Sequence, residues 1–93
     1  SLLYEGLMHY FMIQFPQRPG ALKEFVNDIL GPDDDITYFQ FAKKNSREVG
    51  SVVVGLELKN PNDIHAIKTN MNTKGFEYRY LNERHDLFTQ LIG

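Results

Sequence analysis

The sequence predicts an α+β domain of order βαββαβ: a four-stranded antiparallel sheet with two helices on one face, the ferredoxin-like split β-α-β arrangement. Three observations carry this. Four segments have the apolar runs or two-residue alternation of strands, two others repeat apolar residues every three to four positions, and glycine, proline or asparagine punctuates the junctions. The 93 residues suit a single domain, 1–93, built on one small core.

Leu7 to Phe15 is apolar on both alternating faces, with Leu7, Phe11, Ile13 and Phe15 on one and Met8, Tyr10 and Met12 on the other. That is the pattern of a central strand covered on both sides. After Pro19-Gly20 the spacing of Leu22, Phe25, Val26 and Ile29 predicts the first helix, which Gly31-Pro32 stops. Asp33 to Asp35 reads as a turn. Ile36 to Lys43 reads as the second strand, alternating Thr37, Phe39 and Phe41 against Ile36, Tyr38 and Gln40. Lys44 to Gly50 is a polar hairpin loop into a third strand, Ser51 to Lys59, with Val52, Val54, Leu56 and Leu58 on one face. Asn60-Pro61 offers an N-cap and a first helical proline, and Ile64, Ile67 and Met71 carry the second helix to Gly75. Phe76 to Leu81 alternates as the fourth strand, and Leu87, Phe88, Leu91 and Ile92 in the tail from Asn82 to Gly93 predict a final helical turn.

Composition narrows the function. With 42% hydrophobic and 24% charged residues the chain is ordinary globular material, and a net charge of −2 gives no electrostatic reason to bind nucleic acid or an anionic membrane. The absence of cysteine excludes disulfides, thiolate metal sites and thiol nucleophiles, and agrees with a cytoplasmic location. No apolar run approaches the roughly 20 residues of a membrane helix, and Ser1 to Glu5 lacks the basic start of a signal peptide. A chain opening on Ser1 points to a piece of a longer protein.

Catalytic constellations are not evident. His9, His65 and His85 share no metal-ligand spacing and no partner motif. His9 reads as a partly buried ring with a hydrogen-bonded tip, the other two as surface residues. Asp33 to Asp35 lacks the staggered oxygens of a calcium loop and reads as a solvated turn, or as carboxylates placed near the ammonium group of a zwitterionic ligand. Neither the phosphate-loop nor the dinucleotide glycine pattern occurs. Phe39 and Phe41 are reminiscent of the stacking platform of an RNA-recognition domain, but the third strand, Ser51 to Glu57, has no arginine, lysine or aromatic residue. Packing in the core or against a second copy fits them better, since an uncovered face or edge strand invites association.

The stretch Phe15-Pro16-Gln17-Arg18-Pro19-Gly20-Ala21-Leu22 joins a strand to a helix. Proline presets φ and has no N–H, and glycine lets an object approach the backbone, so free amides there can face an anion such as a carboxylate. The alternative is a tight strand-to-helix turn with no ligand.

Together with Met12-Ile13-Gln14 before it, with Gly31-Pro32-Asp33-Asp34-Asp35-Ile36-Thr37-Tyr38-Phe39, and with Val52-Val53-Val54-Gly55-Leu56-Glu57, this stretch resembles the C-terminal regulatory domain of biosynthetic threonine deaminase (threonine ammonia-lyase), an ACT-like domain. The resemblance spans nearly the entire chain, and a single such domain resembles the short form of that enzyme. It implies a site for a branched-chain amino acid, isoleucine as inhibitor and valine as antagonist, formed by Arg18, Pro19, Gly20, Ala21 and Leu22 and by Asp35, Ile36 and Thr37. One departure is Asp35, where many relatives carry asparagine; a carboxylate there favours the ammonium end of the ligand. The resemblance also implies a homo-oligomer in which the second strand of a partner copy completes the apolar pocket. Catalysis, conversion of threonine to 2-oxobutanoate with pyridoxal phosphate, would belong to a catalytic domain elsewhere in the parent chain. This domain would hold no cofactor and no metal. The rival reading is a pure oligomerisation module that binds no metabolite.

Overall fold

The computed structural model describes residues 6–41 and 50–82. Most of the predicted hairpin loop, the tail helix with Leu87, Phe88, Leu91 and Ile92, and His85 lie outside the described residues. The elements are β1 (Met8–Gln14), a first helix that starts as α1 (Ala21–Glu24) and continues as a π-helical turn (Phe25–Ile29), β2 (Asp35–Phe41), β3 (Ser51–Glu57), α2 (Asp63–Lys74) and β4 (Glu77–Tyr80). The sheet order is β2-β3-β1-β4, and every pairing is antiparallel. This is the expected βαββαβ topology.

One face of the sheet and both helices share a core. Phe11 and Ile13 of β1, Val52, Val54 and Leu56 of β3, Phe25 and Ile29 of the first helix and Ile67 and Met71 of α2 are all essentially inaccessible to solvent. Burying each such side chain contributes about 1.5–3 kcal/mol. The opposite face carries a second, smaller cluster, Val53 and Leu81 with the half-buried Tyr10, Met12 and Tyr38. β1 is therefore central, with one fully buried face and one half-covered face.

β1 and β4 are one residue shorter at each end than predicted, β3 ends two residues early and β2 starts one residue early, yet pairing runs past the ends of β1 and β3. The Leu58 amide donates to the Leu7 carbonyl at 2.7 Å, and the Phe15 amide to the Gly50 carbonyl at 3.2 Å. At the far edge, β4 is prolonged by a side chain. Asn82 accepts the Tyr10 amide through Oδ1 and donates through Nδ2 to the Met8 carbonyl, both at 2.8 Å. Its carboxamide thus repeats the donor and acceptor that the next strand residue would offer.

Three local expectations are corrected. In the first helix the buried stripe is Ala21, Phe25 and Ile29, whereas Leu22 and Val26 are 49% and 47% exposed. The Leu30 amide reaches back five residues to the Phe25 carbonyl at 3.2 Å, and this widened turn keeps residues four apart on one line. In β2, Ile36 stands opposite Leu56 and Tyr38 opposite Gly55, so Thr37 is a bulge with no partner. The extra residue shifts the alternation: Ile36 joins Phe39 and Phe41 on the helix side, and Asp35 is the first residue of the strand and not part of the turn. The second helix begins at Asp63, two residues after the predicted proline position. Asn60 still acts locally, its Oδ1 accepting the Asn62 amide at 3.0 Å in a tight turn ahead of the helix. At the other end Gly75 adopts the left-handed conformation, φ 79°, that closes α2.

Candidate functional site

The Phe15 to Leu22 stretch leaves the end of β1 over an aromatic base. The Phe15 ring lies 5.4 Å from those of Phe25 and Phe76 and 6.2 Å from that of Phe39, which fixes the exit of the strand. The chain then turns tightly, the Arg18 amide donating to the Pro16 carbonyl at 2.9 Å. Gly20 follows at φ 78°, ψ 13°, a conformation that β-carbon crowding disfavours for other residues, and its carbonyl accepts the Glu24 amide at 2.9 Å. Among the described residues no side chain caps this helix start, and the amides of the first turn have no intrahelical acceptor. A β-carbon at Gly20 would meet no atom of the described residues within 4 Å, so the space beside Gly20 is open among them.

Pro19 and Gly20 are exposed, Ala21 is buried and Leu22 is exposed. Arg18 is not turned to the open space. Its Nη2 donates to Glu24 Oε1 at 2.6 Å and to the Lys74 carbonyl at 2.9 Å, its Nε donates to Glu24 Oε1 at 3.2 Å, and the guanidinium lies 5.9 Å from the centre of the Phe76 ring. A hollow of about 320 Å³ beside this bridge is lined by Arg18, Gly20, Lys23, Glu24, Asn27 and Asp28.

The second group, Asp35, Ile36 and Thr37, sits elsewhere. The loop follows the Gln14 end of β1, which faces Ser51 of β3, whereas Asp35 pairs with Glu57 at the opposite end of β3. Six residue steps of strand separate those ends, about 20 Å at the usual rise. One copy of the chain therefore does not bring the two groups together. Asp35 and Glu57 place two carboxylates directly across the ladder, and with Pro32, Asp33, Leu58 and Lys59 they line a polar hollow of about 390 Å³. Asp34 has a structural task, its Oδ2 accepting the Gly31 amide at 2.7 Å while its own amide donates to the Gly31 carbonyl at 3.2 Å.

Between the two groups runs an exposed apolar flank. Ile36, Phe39 and Phe41 of β2 are 37%, 40% and 62% exposed, and β2 is one of the sheet's two edge strands. Asp28 pairs with Lys74 of α2 at 3.9 Å, and Glu24 pairs with Arg18, which also reaches the Lys74 carbonyl, so the exposed Leu22 and Val26 lie on the flank of the first helix away from α2. Ile36, Phe39 and Phe41 thus give the β2 edge an apolar flank, and Leu22 and Val26 add two exposed apolar side chains on the first helix.

His9 is the buried, hydrogen-bonded ring that the sequence predicts, and the structure supplies the partners that sequence reasoning did not name. This residue is 5% exposed, and because a carbonyl can only accept, the Nε2–H donates to the Gly6 carbonyl at 2.6 Å; Nδ1 accepts the Tyr80 hydroxyl at 2.7 Å. The Lys68 ammonium lies 3.9 Å from the centre of the Tyr80 ring. Burial lowers the His9 pKa from its usual 6.5, the Gly6 carbonyl opposes that, and the Lys68 charge lowers it further. No group of three or more metal-ligating side chains converges among the described residues, and none of their helices is long and apolar enough to cross a membrane.

Residues 1–91 match the family model described as the C-terminal regulatory domain of threonine dehydratase. The chain is 59% identical over 92 residues to L-threonine dehydratase biosynthetic IlvA of Halalkalibacterium halodurans. It is 50% identical over 92 residues to the proteins of the same name in Staphylococcus aureus strain NCTC 8325 and Bacillus subtilis strain 168. Each alignment covers 99% of this chain and 22% of the relative, so the chain spans about a fifth of the length of the curated relatives it matches. No solved structure matches it significantly. The chain belongs to the family of C-terminal regulatory domains of threonine dehydratase.

Proposed function

We propose that the chain is the effector-sensing part of a biosynthetic threonine dehydratase and binds a branched-chain amino acid, with isoleucine inhibiting and valine antagonising the conversion of threonine to 2-oxobutanoate. The observation that carries this reading is the match of residues 1–91 to the regulatory domain. The backbone amides of Gly20 to Leu22 hold the effector carboxylate. Asp35, whose negative charge Glu57 reinforces across the ladder, takes the ammonium group. Ile36, Phe39 and Leu22 border the aliphatic side chain.

Because Asp35 and the loop lie at opposite ends of one domain, the site is read as belonging to two copies. Pairing two β2 edges antiparallel about a two-fold axis brings the Asp35 end of one strand beside the loop end of the other, and each of the two equivalent sites draws on both chains. The same pairing covers the flank of Leu22, Val26, Ile36, Phe39 and Phe41.

Pyridoxal phosphate does not fit the described residues of this chain. It needs a lysine amine in an enclosed pocket beside a glycine-rich phosphate cradle, whereas Lys23, Lys59 and Lys74 are exposed and Lys68 packs on the Tyr80 ring. The cofactor and the catalytic lysine are assigned to the remaining part of the parent chain. An effector can act on that part only through different affinities for two states of the assembly.

Titration calorimetry of the 93-residue chain with isoleucine, valine, leucine and threonine tests the reading. Saturable binding of a branched-chain amino acid is expected, and heats no larger than those of glycine contradict it. The apolar edge also favours a second reading, an assembly module without a ligand. That reading predicts a dimer whose sedimentation is the same with and without isoleucine.

A further inference from the structure

Arg18 sits in the loop read above as the effector site, yet every polar contact recorded for its guanidinium points away from the open space in front of Gly20. Two donors converge on the Glu24 carboxylate, one turn into the first helix, and Nη2 also reaches the Lys74 carbonyl at 2.9 Å. Lys74 is the last residue of α2, where carbonyls lack intrahelical donors, so a planar cation is well matched to that end. The guanidinium also lies 5.9 Å from the centre of the Phe76 ring, which packs on Phe15 and Phe25. One side chain thus joins the loop, the start of the first helix, and the corner where α2 turns into β4.

We propose that Arg18 is a positioning residue: it braces the effector loop against Glu24 and couples the loop's occupancy to the α2–β4 corner, without touching the effector. The bridge resists opening of the turn between Pro16 and Gly20, and a ligand that tightens the loop tightens the corner with it. The Gly75 amide, which donates to the Asn72 carbonyl at 3.4 Å, and the Phe76 amide, which donates to the Met71 carbonyl at 2.9 Å, report on that corner. Lysine cannot replace this arginine, because a single ammonium does not span a carboxylate and a carbonyl with the same planar fork.

This inference rests on the reading of Gly20 to Leu22 as the effector loop, and the experiment separates the two. Isoleucine affinity is measured by calorimetry for the 93-residue chain and its Arg18→Gln, Arg18→Lys, Glu24→Gln and Arg18→Gln/Glu24→Gln variants, with hydrogen exchange at Gly75 and Phe76 with and without isoleucine. A brace predicts that Arg18→Gln and Glu24→Gln each weaken isoleucine about five- to tenfold and that the double variant loses no more than either alone. Arg18→Lys fails to rescue, and isoleucine slows exchange at Gly75 and Phe76 only in the parent chain. Losses that add, with Arg18→Gln far more damaging than Glu24→Gln, identify a direct ligand contact and overturn the proposal. If the parent chain binds no isoleucine, the effector reading falls and exchange without ligand decides the brace. Faster exchange in Arg18→Gln at both the loop amides and the Gly75–Phe76 corner supports it, and unchanged exchange overturns it.

Discussion

Tyr38 and Gly55 face each other across the β2–β3 ladder, and the missing side chain of the glycine makes the space into which the rings of Tyr38 and Tyr10 close. Those rings meet edge-on, their centroids 6.3 Å apart. A β-carbon at position 55 would come within 2.8 Å of Tyr10 Cε2 and 2.9 Å of Tyr38 Cβ. Gly55→Ala therefore destabilises the domain by about 1–3 kcal/mol through overpacking, read as a lower urea midpoint with an unchanged slope.

Asn82 extends the sheet with its side chain. Asn82→Ala leaves the Tyr10 amide and the Met8 carbonyl without their partners and costs about 1–3 kcal/mol. Asn82→Asp keeps the acceptor for Tyr10 but sets a carboxylate oxygen against the Met8 carbonyl, so it is no rescue. Urea unfolding of both variants checks this.

His9 makes stability depend on pH in a stated direction. Its folded-state pKa lies below 6.5, so as pH falls through 6.5 the unfolded chain takes up the proton first and the folded state loses ground. Stability thus declines from pH 7 downward to the folded pKa. Protonation also makes Nδ1 a donor, which forces the Tyr80 hydroxyl to turn from donor to acceptor. The melting temperature of the parent chain should fall more between pH 7 and pH 5.5 than that of His9→Gln; parallel curves would remove His9 from the explanation.

The apolar edge predicts self-association. Phe41→Arg places a charge on the most exposed of the five side chains without entering the core, so the variant should sediment as a monomer at concentrations where the parent chain is a dimer. As a monomer it should lose about 0.5–1.5 kcal/mol of urea stability, the worth of its edge-on contact with Phe39 at 6.4 Å.

The element order, the antiparallel sheet, the α2 stripe and the Gly75 stop were legible in the sequence because each rests on local periodicity or on backbone freedom of one residue. The bulge at Thr37 was not, since Ile36-Thr37-Tyr38-Phe39 alternates perfectly well by itself and only pairing with Leu56 and Gly55 reveals the extra residue. The exposure of Leu22 and Val26 was not legible either, because helical spacing fits the stripe Leu22, Phe25, Val26 and Ile29 as well as Ala21, Phe25 and Ile29, and only packing on the sheet chooses between them. Within the candidate site, Gly20 was readable as a place where the backbone lies open to close approach, whereas its φ of 78° came from the structure. Arg18 was not readable, because its partners, Glu24 and the Lys74 carbonyl, are 6 and 56 positions away. The 20 Å between the loop and Asp35 emerged only once the strands were in register.

If each effector site is shared between two copies, mixing two defective chains restores binding. Gly20→Val spoils the loop and Asp35→Lys spoils the ammonium contact, so neither homodimer binds isoleucine. In their mixed dimer one site inherits both defects and the other inherits none. Titration calorimetry of an equimolar, re-equilibrated mixture should recover parent-like affinity at about one site in four. A mixture as silent as its two components would contradict the shared site.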